Sequence, residues 1–535
     1  MGVALARSQV PLRDLLCNDG WSSVWSDALS SASRSPLRAV VRLANPPPSS
    51  TLLSPDTAEM TALDAADLIA LTPAAPAVAR RSAPAAPGVA PRGAPAMDWL
   101  ERLRADPARM RAVRDSARAL VLSRVLVWLA ALGAVGVFTV RVARYAFDPP
   151  GTTSGFGWLG DLLAAPAARW DGAWYLVIAQ HGYRPHGGLA TAARAAFFPL
   201  YPLVTGVVGE LGVPLVLAGV LVSIAALAVA LYGLHRLTTL EWGPGEEGGH
   251  VARLAVLVCA LSPMAFFFSA VYSESLYLAL SVGVFWSART GRFATACALG
   301  AFAAATRSAG LVLILPIAML YLWGPRTDRP PDRRAPRGGW RRLVPRYRVR
   351  PDALWVMLVP AGLALYMGYL SLSGGEALMP FHAQEVWNRH FAGPFLGAWD
   401  GTTAAWAGLR QLLSMQRHHV FFPAAGGSPM ITAGHNLMLF AFLAAAVPAT
   451  IGVLRTLPLA YGAYVVVALA LPLSYPVTTQ PLLSLPRFEL VLFPLAMWTA
   501  AKLAPRPRLR GPALAGMAVL MAVFVAQFAT WHWVA

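Results

Sequence analysis

Asp171 stands between two indoles. The run Arg169-Trp170-Asp171-Gly172-Ala173-Trp174-Tyr175 continues to His181-Gly182-Tyr183, just beyond the first long apolar stretch. A carboxylate in that setting suits lipid contact badly and suits a polar headgroup at the water–lipid boundary well. Hemmed in by Trp170 and Trp174 it would be partly desolvated, which fits a general base for an acceptor hydroxyl. The competing reading makes Asp171 a helix N-cap ahead of the run Trp174 to Gln180. Arg169, two residues upstream, could pair with Asp171 or with a lipid phosphate.

Three more clusters put charge where it is expensive. In Tyr272-Ser273-Glu274-Ser275-Leu276-Tyr277 a glutamate interrupts two apolar segments; it must face water or a partner. The bland account is a turn capped by Ser273 or Ser275. In Thr306-Arg307-Ser308-Ala309-Gly310 an arginine lies amid apolar residues. At the tip of two half-length helices it could bind phosphate through its planar fork; otherwise it snorkels to the headgroups. Leu485-Pro486-Arg487-Phe488-Glu489 offers either an internal Arg487–Glu489 pair or a second phosphate ligand. The loop Phe381-His382-Ala383-Gln384-Glu385-Val386-Trp387-Asn388-Arg389-His390 mixes aromatics, an amide (Gln384) and charges. Such loops suit sugars, because flat rings stack on a pyranose while polar groups bond its hydroxyls.

The elements that position these residues follow from composition. The chain has 535 residues, 56% hydrophobic and 13% charged, with apolar stretches recurring to its end. That composition is a polytopic all-α membrane protein. The formal net charge of +18 comes from arginines gathered in loops, as the positive-inside rule requires, and no nucleic-acid-binding motif accompanies it. There is no Walker loop, GxGxxG or HExxH, which excludes soluble-nucleotide chemistry and a zincin site. Cys17, Cys259 and Cys297 have neither metal-site nor disulfide spacing. The Ala, Gly, Pro and Arg bias points to a GC-rich, bacterial genome.

Residues 1–96, rich in Ala, Pro, Ser and Arg, read as disordered, and Met97 is a candidate native start. Residues 97–118 form a basic amphipathic segment with six arginines. The loop 324–352 is also basic, and Lys502, Arg506, Arg508 and Arg510 mark a third such place. Putting all three in the cytoplasm sets the parity of the spans between them and makes the N-terminus cytoplasmic. Spans are expected at 119–142, 214–236, 251–271, 274–289, 293–305, 308–323, 353–373, 433–455, 457–475, 486–502 and 512–533, about eleven in all. Segment 197–212, opening Phe197-Phe198-Pro199-Leu200-Tyr201-Pro202, reads as interfacial or re-entrant. Asp171, Glu274 and Arg307 then lie on the outer side, as does a large loop at 374–432.

Taken in order, Arg169-Trp170-Asp171 with His181-Gly182-Tyr183, Phe197-Phe198-Pro199-Leu200-Tyr201-Pro202, Tyr272-Ser273-Glu274-Ser275-Leu276 and Thr306-Arg307-Ser308-Ala309-Gly310 strongly resemble the PIG-V family. These are GPI mannosyltransferase II and its bacterial relatives, in the GT-C glycosyltransferase superfamily. The likeness covers roughly 120–325, so 119–323 becomes the catalytic module and 353–535 a C-terminal transmembrane region. Pro486-Arg487-Phe488 is similar to a pattern of bacterial members. The resemblance implies a GT-C-like bundle and an inverting enzyme of the cell membrane that uses polyprenyl-phosphate mannose on the extracytoplasmic face. Asp171 maps to the key acid of the first external loop, and Glu274 to an acidic position on the next external turn. The lone Glu there is not the paired acidic motif of metal-using relatives, so no metal and no cofactor is expected. Arg169, Trp170, Trp174, His181, Tyr183, Arg307, Gln384 and Arg487 are the expected substrate contacts. Partners would be the lipid-linked donor, membrane lipids and an acceptor that is a glycolipid, a glycan or a protein; arabinose or glucose from the same carrier class remains open. A lipid transporter or flippase, or a non-catalytic envelope scaffold, would also carry buried charge. Neither internal repeat nor paired broken helices point to transport.

Overall fold

In the computed structural model the described residues are 106–138, 157–183, 193–332, 344–421, 428–478 and 480–534. The expectations for residues 1–96, and for the middle of the basic loop, lie outside them. The described chain is helical, with one isolated β-bridge between Arg389 and Val477. Besides the short helices Trp158–Leu163 and Met379–His382, it has α1 (Pro107–Val137), α2 (Gly172–His181), α3 (Leu200–Glu210), α4 (Leu215–Trp242) and α5 (Glu246–Leu261). Then come α6 (Glu274–Arg289), α7 (Phe293–Ala304), α8 (Ile314–Leu322), α9 (Leu358–Leu372) and α10 (Pro394–Ser414). The last are α11 (Pro429–Thr456), α12 (Leu459–Leu473), α13 (Leu485–Leu490), α14 (Phe493–Leu503) and α15 (Pro507–Ala529).

Five helical stretches among the described residues are long and apolar enough to cross a membrane: Pro107–Val137, Leu215–Trp242, Pro351–Leu372, Pro429–Thr456 and Pro507–Ala529. The chain is a polytopic membrane protein. Other expected spans appear as shorter helices, and the breaks have local causes. The segment expected at 251–271 ends at Leu261, because Ser262-Pro263 follows and a proline disfavours helical backbone in the residue before it. The segment expected at 486–502 is split at Val491-Leu492, ahead of Pro494. α3, at 11 residues, spans about 16 Å, too little to cross, as its proline-rich start predicts.

Buried polar groups tie the bundle at both ends. Arg124 of α1 donates to the carbonyls of Ala260 and Ala265 and to Ser269 Oγ. It thereby satisfies carbonyls left open where α5 stops. At the other end of the bundle Arg289 grips Glu241 through Nε at 2.6 Å, and Tyr461 donates to the same carboxylate at 2.6 Å. That network fastens α4, α6 and α12 together.

The segment 374–432, expected as a loop, contains the 21-residue helix α10. Its glycines look like turn signals in sequence. They are instead a packing stripe: Gly397, Gly401 and Gly408 are buried, and a Cβ on Gly397 would lie 1.8 Å from the carbonyl oxygen of Leu473. Small residues let helix backbones touch. The same logic holds where α9 crosses α7. A Cβ on Gly362 would stand 1.9 Å from Ala301 O, a backbone atom that cannot turn aside. Gly362→Ala is therefore expected to lose about 1–3 kcal/mol through overpacking, read as a lower unfolding midpoint in detergent.

Candidate active site

The first motif forms a tight turn entering α2. Trp170 adopts φ +56°, a left-handed conformation rare for a bulky residue. It is held by edge-on packing against Trp531 (5.8 Å) and Trp533 (5.1 Å) near the end of the chain. The turn leaves Asp171 at the N-cap position of α2, yet its side chain makes no capping bond. Its carboxylate instead accepts from Arg487 Nη1 at 2.7 Å, 316 residues away in sequence. The N-cap reading fits the position of Asp171 but not its side chain.

The second motif is stapled to the first by its own hydroxyls. Tyr272 donates to Arg169 O at 3.0 Å, and Ser273 Oγ lies 2.9 Å from the Tyr175 hydroxyl. Burial pushes the Tyr175 phenol up to about 12, helped by the nearby Glu274 carboxylate, so it stays neutral. Glu274 is the first residue of α6 and only 1% exposed. Its Oε1 meets Arg307 Nη1 at 3.0 Å and Arg487 Nε at 3.1 Å; its Oε2 has no hydrogen-bond partner.

Arg307 sits at the tip joining α7 to the 3-10 turn Ser308–Leu313 that leads into α8. The tip is tight because Gly310 lies against the backbone of Ala303 and Ala304, where a Cβ would meet atoms 2.2–2.4 Å away. Leu200 N donates to Ala305 O, docking the start of α3 on the same tip. The Arg307 guanidinium lies 5.0 Å over the Phe488 ring. Arg487, on α13, follows Ser484 at φ +69°. Two carboxylates and two guanidiniums drawn from four separate motifs thus interlock, with Arg487 bridging both acids.

This cluster forms one wall of a cavity of about 260 Å3. Asp171, Tyr175, Arg307, Gln384, Trp387, Arg389 and Arg487 line it. Glu274 is behind the wall, holding both arginines. Arg389 donates to Tyr475 O and Leu483 O, and burial draws its guanidinium down to about 10. Three guanidiniums against two carboxylates leave the cavity receptive to an anion. Phe488, Tyr475 and Trp533 add aromatic surface. Among the described residues no group of three His, Cys, Asp or Glu side chains is placed to share a metal ion.

Five of the expected substrate contacts do not line this cavity. Arg169 is 6% exposed and faces the Trp531 ring at 4.9 Å. Trp170 is taken up by Trp531 and Trp533. Trp174 is buried and stacked on Phe197 at 5.8 Å. His181 lies in the last turn of α2, outside the wall. The Tyr183 hydroxyl donates to Phe197 O. Arg169 and Trp170 shape the turn that carries Asp171. Conversely, Arg389, Tyr175 and Trp533 were not expected as site residues. Arg389 and Trp387 stood in a loop already notable for aromatics and charge. Trp533 carried no signal, since nothing in a single sequence ties it to Trp170.

Residues 117–322 match the sequence model of the family described as Mannosyltransferase (PIG-V). Over 181 residues the chain is 34% identical to GPI alpha-1,6-mannosyltransferase 2 of Homo sapiens, covering 32% of this chain and 35% of that protein. The relative of the same name from Rattus norvegicus is 33% identical over the same coverage. GPI mannosyltransferase 2 of Drosophila pseudoobscura pseudoobscura is 29% identical over 143 residues, 24% of this chain and 29% of that protein. The chain spans about a third of the length of the first two of these curated relatives. No solved structure matches. The family match contains Asp171, Glu274 and Arg307, whereas Arg389, Arg487 and Trp533 come from beyond it.

Proposed function

We propose, with the PIG-V mannosyltransferase match over residues 117–322 as premise, that this chain is a GT-C-type membrane mannosyltransferase. It takes mannose from polyprenyl-phosphate mannose and passes it, with inversion, to a lipid-linked or cell-envelope acceptor. The observation that carries the reading is the Asp171–Arg487–Glu274–Arg307 cluster on a cavity between apolar helices. The arginine-rich loops at the opposite end of the helices support an extracytoplasmic cavity.

The chemistry follows from the charges. The acceptor hydroxyl oxygen attacks the anomeric carbon on the face away from the phosphate. The carbon–oxygen bond to the lipid phosphate breaks, and its electron pair leaves with the phosphate. Arg307 and Arg487 stabilise that anion through their forks. Asp171 takes the proton of the hydroxyl. In the unliganded site Arg487 holds Asp171 at 2.7 Å. A donor phosphate would draw Arg487 donors to itself and leave Asp171 free to act as a base. Gln384, Trp387 and Trp533, on the same cavity, would bond and stack on the sugar.

The test is transfer of label from radiolabelled polyprenyl-phosphate mannose into membrane lipids and glycans. Label is expected with the intact chain, and where it lands identifies the acceptor. A folded protein that transfers nothing from this donor, yet moves the lipid across vesicles, would overturn the reading in favour of transport. Within the same assay Trp387→Ala is expected to raise KM about fivefold with kcat nearly unchanged. One stacking contact of about 1 kcal/mol is lost from both ground and transition state.

A further inference from the structure

At the end of the bundle opposite the candidate site, the first turns of α1, the last turns of α4 and the first turns of α5 line a second cavity, of about 150 Å3. Arg111, Arg114 and Arg253 stand exposed at its rim. Arg114 approaches a carboxylate only at 3.7 Å, that of its neighbour Asp115. Arg253 uses one donor, Nη2, on His250 Nδ1 at 2.8 Å. That bond makes Nδ1 the acceptor and places the ring proton on Nε2, which is buried without a partner. Deeper in, His235 is 3% exposed, and neither of its ring nitrogens makes a hydrogen bond. The nearest carboxylate oxygen, Asp115 Oδ2, stands off at 3.5 Å.

A basic rim alone is the ordinary dress of one face of a membrane protein. Buried, unused ring nitrogens beneath it are not, because buried polar groups are nearly always paired. Three arginines thus line the cavity against two acids, Asp115 and Glu246. The apolar side chains Met110 and Val113 are exposed on the same turns of α1, which sets the rim where apolar helix surface gives way to polar. We propose that this cavity binds a phosphate group, with Arg111, Arg114 and Arg253 on its oxygens and His235 and His250 beneath. The phosphate is that of an anionic lipid headgroup or free phosphate. This site is independent of the transferase reading.

The full chain, in non-ionic detergent, is offered phosphatidylglycerol or phosphatidylcholine, and retained lipid is counted by native mass spectrometry. Labelled inorganic phosphate is offered in parallel by equilibrium dialysis. One of the two phosphate probes is expected to be held at least about tenfold more tightly than phosphatidylcholine, through charge-assisted bonds. The Arg111→Gln/Arg253→Gln pair is expected to abolish that preference with an unchanged unfolding midpoint. The control pair Arg348→Gln/Arg508→Gln, exposed outside the cavity, should keep it. Which probe is held names the source. No preference in the wild type, or equal loss in both pairs, overturns the site.

Discussion

Asp171→Asn is expected to leave a folded protein that transfers mannose at least about a hundredfold more slowly, the usual contribution of a positioned general base. The asparagine oxygen can still accept from Arg487 Nη1, so the 2.7 Å contact at the cavity wall has a neutral substitute. Its carboxylate, however, is the group that would receive the acceptor proton. The measurement is single-turnover transfer from radiolabelled donor, alongside an unfolding curve. Loss of rate with an unshifted midpoint assigns Asp171 to the chemistry. Full rate in the variant removes it from the mechanism. A shifted midpoint would return it to the structural role its N-cap position suggested.

Arg487 carries the second large effect, and on two readouts at once. It is the one guanidinium that reaches both acids, Asp171 through Nη1 and Glu274 through Nε. Arg487→Gln leaves a nearly buried Glu274 with Arg307 alone and Asp171 without its cation. Breaking a buried pair in this way costs about 3–5 kcal/mol, and the proposed donor phosphate would lose one of its two forks. Transfer should become undetectable and the unfolding midpoint should drop. Arg487→Lys separates the two effects. It keeps the charge but cannot bond in two directions from one plane. Most of the stability is expected back, while transfer stays roughly a hundredfold down, the loss of one preorganised donor to developing charge. A lysine variant with wild-type rate would show that charge alone matters at this position.

The four charged residues of the cluster could be read from sequence for one physical reason. A charge in an apolar setting is costly, so its presence demands a use. That argument found Asp171, Glu274, Arg307 and Arg487 separately. It could not say which pairs with which: for Arg487 it offered either a pair with Glu489, two residues on, or a phosphate, and the structure pairs it with Asp171 and Glu274. Nor could it separate aromatics that touch substrate from those that shape the backbone. Trp170 and Trp174 looked like walls around Asp171, but one is locked in a left-handed turn and the other lies in the core. Helix positions along α6, α7 and α8 were legible because apolar runs there are cut by charged or glycine-bearing turns. α10 was not, because a glycine that packs against a carbonyl looks in sequence like a glycine that ends a helix.

α7 has only 12 residues, and the turn at its end carries Arg307. Such a helix rises about 18 Å, while the hydrocarbon of a bilayer is about 30 Å deep. Beside this hairpin either the lipid thins, or Arg307 relies on its Glu274 partner and the cavity it lines to stay charged below the headgroups. Acyl-chain length in the host membrane therefore bears on the site. Longer chains would draw Arg307 further below the headgroups and make its charge costlier to keep, and shorter chains would relieve that mismatch.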